Sequence, residues 1–207
     1  MASENRRAWD PDDKRYARMA EKKNHIMQVA QGVFIRNGYE RTSMDAIAKE
    51  ANVGKMTVYR QFADKQTLFI ACMNDQCSAM LTPDTYPVAQ SLAQAEQILI
   101  QYGHVIVDLI TQKEIVSLYR MLIGETNHFD GLGALFYQGG PSQAINVIEK
   151  VLAKLFGKRE ARLRAQTFFW SSLGDTYERV VLGVVEAVDV RESFDEQIKF
   201  AAGIALR

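Results

Sequence analysis

S-M-D-A-I-A-K-E-A-N-V-G-K-M-T-V-Y-R-Q-F, residues 43–62, holds two short helical patterns joined by a tight polar turn. Ile47, Ala48 and Ala51 form one apolar stripe at helical spacing, and Val58 with Phe62 resumes it after the break. Asn52 and Gly54, both tolerant of unusual backbone angles, flank a single inward Val53 at the turn. Neither helix is long enough to persist alone, so both must lean on a third. The alanines permit a close crossing of the kind found in a helix-turn-helix, whose second helix enters the DNA major groove. The same spacing also fits an ordinary helical hairpin, and spacing alone leaves both readings open.

The supporting helix is signalled over Lys22 to Asn37, where Ile26, Val29, Ala30, Val33 and Phe34 share one face. Gly38 is placed to end it in a left-handed backbone state. Thr42 or Ser43 can cap the next helix, with Asp45 favourably charged in its first turn. At a helix start facing DNA, the same hydroxyls and free amides also receive phosphate. Lys55 to Phe62 is the candidate recognition helix. Lys55, Met56 and Thr57 occupy its exposed leading end, and Tyr59 and Arg60 its polar flank. Lysine donates to guanine acceptors and methionine touches the thymine methyl, so Lys55 and Met56 stand nearest to base-reading positions.

Over His25 to Phe69 the chain closely resembles the headpiece of the tetracycline-repressor (TetR) family. The residues that carry the likeness are Phe34, Gly38 and Tyr39, then Thr42-Ser43, Thr57-Val58-Tyr59, Phe62, Asp64-Lys65 and Leu68-Phe69. The resemblance covers about a quarter of the chain. It implies phosphate-positioning roles for Thr57, Tyr59 and Lys65. Met56 stands where the family often has glycine, a departure that bears on groove approach as well as base preference. L-Y-R-M-L-I-G-E (118–125) and L-F-Y-Q-G-G-P (135–141) also resemble one ligand-domain subgroup of the same family, less specifically.

Composition fits this plan. The 207 residues are 47% hydrophobic with four prolines, enough for a headpiece and a larger helical domain with its own core. A formal net charge of zero hides an asymmetry: residues 1–65 carry 13 Lys/Arg against 9 Asp/Glu, and residues 66–207 carry 12 against 16. A basic end suits phosphates and an acidic body faces away. The opening residues are polar, unlike a signal peptide, and no apolar run reaches transmembrane length. A soluble, cytoplasmic protein with no membrane partner is the simplest expectation. Cys72 and Cys77 have no recognised metal or redox spacing; packed positions are one reading and a thiol sensor the other.

Outward from the headpiece, residues 1–21 read as a flexible basic and polar arm, either reaching DNA or merely solvated. Residues 22–65 read as the DNA-binding domain and 66–207 as a helical effector-binding and dimerisation domain, giving an all-α fold of about nine helices. Leu68, Phe69, Cys72, Met73 and Met80 supply an apolar face from headpiece to body, and Thr82 to Pro87 is a break. Apolar helical faces follow at Ile98–Ile110 and Ile115–Ile123. Gly131 to Gly140 marks a looser region, and Pro141 starts a helix that Gly157 can terminate. Helical texture resumes to Gly183, and a last helix spans Glu192 to Leu206.

The resemblance implies that the last two long helices pair with a second copy as a homodimer, and that the body binds a small-molecule effector. Candidate ligand contacts are His104, Tyr119, Met121, Glu125, Phe129, Phe136, Phe168 and Trp170, although ordinary packing explains each of them singly. The expected function is a dimeric regulator on double-stranded DNA. It would act as a repressor released from a palindromic operator by an apolar or amphipathic ligand. A helical adaptor that has lost DNA recognition is the alternative. No catalytic, cofactor-binding or metal motif is recognised: His104, His128, Glu125 and Asp130 lack a known spacing, and no phosphate loop or dinucleotide signature is present.

Overall fold

The computed structural model describes residues 14–78, 86–127 and 130–207. Among them are nine α-helices: α1 (Lys14–Asn37), α2 (Met44–Glu50), α3 (Lys55–Gln61), α4 (Lys65–Ser78), α5 (Leu92–Ile110), α6 (Lys113–Glu125), α7 (Leu132–Gly139), α8 (Pro141–Leu182) and α9 (Arg191–Ala205). A 3-10 turn over Ala187–Val190 precedes α9. The fold is all-α, with helix-turn-helix elements at the N-terminal end and a larger helical unit after them. Backbone contacts divide the chain into Met1–Phe69 and Ile70–Arg207.

The first unit closes around Ile26, Ala30, Phe34, Ile47, Val58 and Phe62, all essentially inaccessible. Gly38 ends α1 at φ +80, its amide donating to the Phe34 carbonyl (2.8 Å). The chain then folds Tyr39 back on Phe34, and Phe69 meets both rings edge-on at 5.1 Å. An Arg36–Glu50 ion pair and a His25 Nε2 hydrogen bond to the Ala51 carbonyl (3.0 Å) tie α1 to α2. The accepting carbonyl requires the proton to be on Nε2.

In the turn between α2 and α3 only Asn52 takes the left-handed conformation, at φ 52. Gly54 lies in the extended region. Helix α1 starts at Lys14, well before the apolar stripe begins. The residues from Arg18 to His25 are exposed, and good helix formers such as Lys, Arg, Ala and Glu extend the helix without a buried face. Met1 to Asp13 lie outside the described residues, as do Met80, His128, Phe129 and most of the break read at Thr82–Pro87.

The second unit is built on α5, α8 and α9. Leu99 and Tyr102 of α5 meet Ile145, Ile148, Leu152 and Phe168 of α8 and Phe194 and Ile198 of α9 in one core. Helix α8 is not one straight rod: its backbone leaves helical geometry at Gly157 and at Gly174. Gly157, at φ 72 and ψ 161, reverses it into two arms, residues 141–156 and 158–182, and Gly174 bends the second arm again. Only glycine takes the Gly157 angles without strain. Across the reversal Arg162 Nη1 donates to Asn146 Oδ1 (2.6 Å) and pairs with Glu149 (3.2 Å).

Two body expectations change. The glycine-marked region at 131–140 contains helix α7, anchored by Leu132, which is wholly buried. In α6 the inward set includes Val116 beside Ile115, Leu118 and Leu122, whereas Ile123 is 49% exposed, so the buried face is turned toward Val116. No described helix is long and apolar enough to cross a membrane.

Candidate nucleic-acid interface and cavity

Ser43 caps α2, its hydroxyl oxygen accepting from the Ala46 amide (3.1 Å). Gly54 opens α3 with no side-chain cap. Within α3, Val58 is wholly buried while Met56 is 77% and Tyr59 40% exposed, and Lys55 and Arg60 also face solvent. Thr57 is half-buried. The helix is therefore held by its inner side and offers its outer one, with a donor, an apolar tip, a phenol and a guanidinium in sequence.

Two expected contacts are placed differently from their neighbours. Thr42 is only 2% exposed, and its hydroxyl donates to the Gly38 carbonyl at 2.7 Å. It closes the α1–α2 turn, a local carbonyl taking the hydroxyl that the cap reading assigned outward. Lys65 Nζ donates to the Tyr39 carbonyl (2.8 Å) and stands 4.2 Å from the centre of the Tyr39 ring. Its ammonium is anchored on that same turn.

Sequence reasoning missed one residue on this surface. Asp45 Oδ2 lies 2.8 Å from Lys55 Nζ, joining the first turns of α2 and α3. The hydrogen bond and charge of Asp45 raise the Lys55 pKa above its ordinary value.

The second unit holds a cavity of about 70 Å³ between α5, α6, α7 and the two arms of α8. Of the expected ligand contacts, Tyr119, Phe136 and Trp170 line it. Phe168 is instead wholly buried in the core, and His104 faces Asp195 at 3.3 Å. Met121 and Glu125 are not among the lining residues, and Phe129 falls outside the described part. Phe169, Leu173 and Tyr177, at successive four-residue intervals, also line it. Tyr119 stacks loosely on Phe136 (5.5 Å) and Tyr177 (6.1 Å), and burial raises its phenol pKa.

Among the described residues no Lys, Arg, Asp, Glu or His lines the cavity; the polar side-chain atoms of the lining residues are the Tyr119 and Tyr177 hydroxyls and the Trp170 indole nitrogen. The volume is well below the roughly 300–1,000 Å³ of sites that enclose drug-sized ligands, so a larger guest requires the wall to spread.

Cys72 is buried, and desolvation first, with Asp75 second, pushes its thiol up to about 12. Its thiolate population at neutral pH is negligible, which removes this residue from the sensor reading. Among the described residues no cluster of His, Cys, Asp and Glu could hold a metal ion.

Residues 26–72 match the family model of bacterial regulatory proteins of the tetR family, and residues 97–193 match the C-terminal domain of AefR-like transcriptional repressors. The chain belongs to the TetR family. Among solved TetR-like structures, a regulator from Mesorhizobium loti is 21% identical with a TM-score of 0.69, covering 90% of this chain and 98% of its own. The flavonoid-responsive regulator FrrA is 25% identical with the same TM-score, over 90% of this chain and 96% of its own. FadR from Bacillus subtilis, solved with stearoyl-CoA, is 17% identical at a TM-score of 0.63, over 84% of this chain and 96% of its own. The HTH-type transcriptional regulator YhgD of Bacillus subtilis (strain 168) is 45% identical over 49 residues, 24% of this chain and 26% of that protein. The match thus spans about a quarter of that curated relative.

Proposed function

We propose that this chain is a homodimeric transcriptional repressor that occupies a palindromic operator and leaves it when a small uncharged molecule enters the body cavity. The observation that carries the reading is the division of α3, with Val58 buried and Lys55, Met56, Tyr59 and Arg60 turned outward. In this reading Lys55 and Met56 face base edges. Ser43, Thr57, Tyr59 and Arg60, with Lys65 from its anchored position, meet the phosphate backbone. Selection of DNA by the purified protein, repeated with Lys55→Ala and Tyr59→Phe, tests it. Loss of Lys55 should change base preference at one position per half-site, at roughly tenfold or more in discrimination. Loss of the Tyr59 hydroxyl should weaken all sequences alike. A folded dimer that selects no DNA motif would favour the adaptor reading instead.

Dimerisation is assigned to the outer side of α8's second arm and α9. Leu163 (59%), Phe200 (69%) and Ile204 (37%) are large apolar groups left exposed there, and Arg164 Nη1 joins the two helices by donating to the Ala205 carbonyl (2.6 Å). Pairing with a second copy covers such a surface and sets two recognition helices about 34 Å apart, one helical turn of DNA. Phe200→Glu is expected to yield monomer by sedimentation and to lose operator affinity; a stable dimer would move the interface elsewhere.

The ligand class follows from the wall. A charged guest has no ion-pairing partner among aromatic and aliphatic side chains, whereas a neutral ring system can pack on Tyr119, Phe136 and Phe169 and reach the two phenol hydroxyls. FrrA's response to flavonoids is consistent with such a guest. Relief of repression requires that the guest bind more tightly to the conformation with low DNA affinity.

A further inference from the structure

Asp45 stands on the first turn of α2; its side chain and that of Lys55 are each 58% exposed, with Oδ2 and Nζ 2.8 Å apart. An exposed pair of this kind contributes little to folding, because water and salt screen it. It changes the outer surface of the headpiece more. Instead of a lone cation, the leading end of α3 presents an acceptor and a donor side by side. A carboxylate turned toward a duplex is repelled unless it meets a donor. In the major groove the base-edge donors are the exocyclic amines of cytosine and adenine.

Building on the proposed entry of α3 into the groove, we infer that Asp45 and Lys55 together read one C·G base pair, Asp45 accepting from cytosine N4 while Lys55 donates to the guanine O6 and N7. The spacing supports this pairing. Cytosine N4 and guanine O6 are themselves joined by an N–H···O hydrogen bond, so they lie roughly 2.9 Å apart. Asp45 and Lys55 present their acceptor and donor at 2.8 Å. Inverting the pair sets amine against ammonium and carbonyl oxygen against carboxylate. An A·T pair offers an amine and an oxygen at similar spacing, but its second acceptor, adenine N7, lies on the amine's side and faces Asp45. Asp45 is thus a specificity-determining residue that also steers Lys55.

The test starts from the half-site that the full-length protein selects from a randomised double-stranded DNA pool, with the position read by Lys55 located by Lys55→Ala. Wild type, Asp45→Asn and Asp45→Glu are then titrated against that site and against the same site with this base pair inverted. Wild type is expected to discriminate by about tenfold or more. Asp45→Asn should bind both sites alike and bind unrelated DNA more tightly, while Asp45→Glu restores part of the preference. If Asp45→Asn keeps the wild-type motif and discrimination, or if the position read by Lys55 is not C·G, the inference is overturned. If wild type selects no motif at all, the DNA-binding function itself fails, an outcome distinct from the first two.

Discussion

Phe34→Ala is expected to unfold the headpiece and abolish operator binding while most of the helical signal of the chain persists. Phe34 is wholly buried, stacks on Tyr39 at 5.8 Å and receives the edge of Phe69 at 5.1 Å. Removing such a ring costs about 3–5 kcal/mol through lost burial and the cavity left behind. That is most of the stability available to a unit of this size, given the roughly 5–15 kcal/mol of whole domains. The same rings hold Tyr39 in place, and the Tyr39 carbonyl anchors Lys65. The body, Ile70–Arg207, has a separate core and should retain its transition. Circular dichroism melting together with a DNA titration checks this. Unchanged headpiece melting would show that the ring cluster is not what closes the unit.

Phe168→Ala should destabilise the body by a similar amount, about 3–5 kcal/mol, and lower its denaturation midpoint without acting as the loss of a ligand contact. Phe168 is wholly buried in the core shared by α5, α8 and α9 and is not part of the cavity wall. Phe169, the next residue, is part of it. The comparison is therefore sharp. Chemical denaturation should separate Phe168→Ala strongly from wild type. A Phe168→Ala protein of wild-type stability with selectively lost ligand affinity would place the ring in the binding site after all.

These two neighbours also show where sequence reading stops. In the headpiece each helix has one apolar face, so periodicity alone identifies Ile47, Val58 and Phe62 as inward and leaves Lys55 and Met56 outside. The last helix is equally legible, since Phe194, Ile198, Ala201, Ala202 and Ala205 are all buried as their spacing requires. Around residues 168–177 both sides of the helix are apolar. One residue turns the side chain by about 100°, which is enough to exchange core for cavity, and hydrophobicity does not distinguish the two. His104 illustrates the opposite limit. A polar group among apolar neighbours suggested a ligand handle, but Asp195, distant in sequence, stands beside it. Thr42 and Asp45 depend likewise on partners that a linear pattern does not reveal: a carbonyl four residues back and an ammonium on the next helix.

The reversal at Gly157 gives the body the mechanics of tongs. Gly140, Pro141 and Ala144 near the tip of one arm and Phe169, Trp170 and Leu173, just short of the Gly174 bend in the other, grip the cavity, and the reversal lies at the far end. With a rise of about 1.5 Å per residue, the grip is roughly 20 Å from the pivot, so parting the tips by 1 Å takes only about 3° of rotation there. Room for a guest larger than the closed space can come from a slight splay of the two stretches between the reversal and the grip, with little need to melt either one.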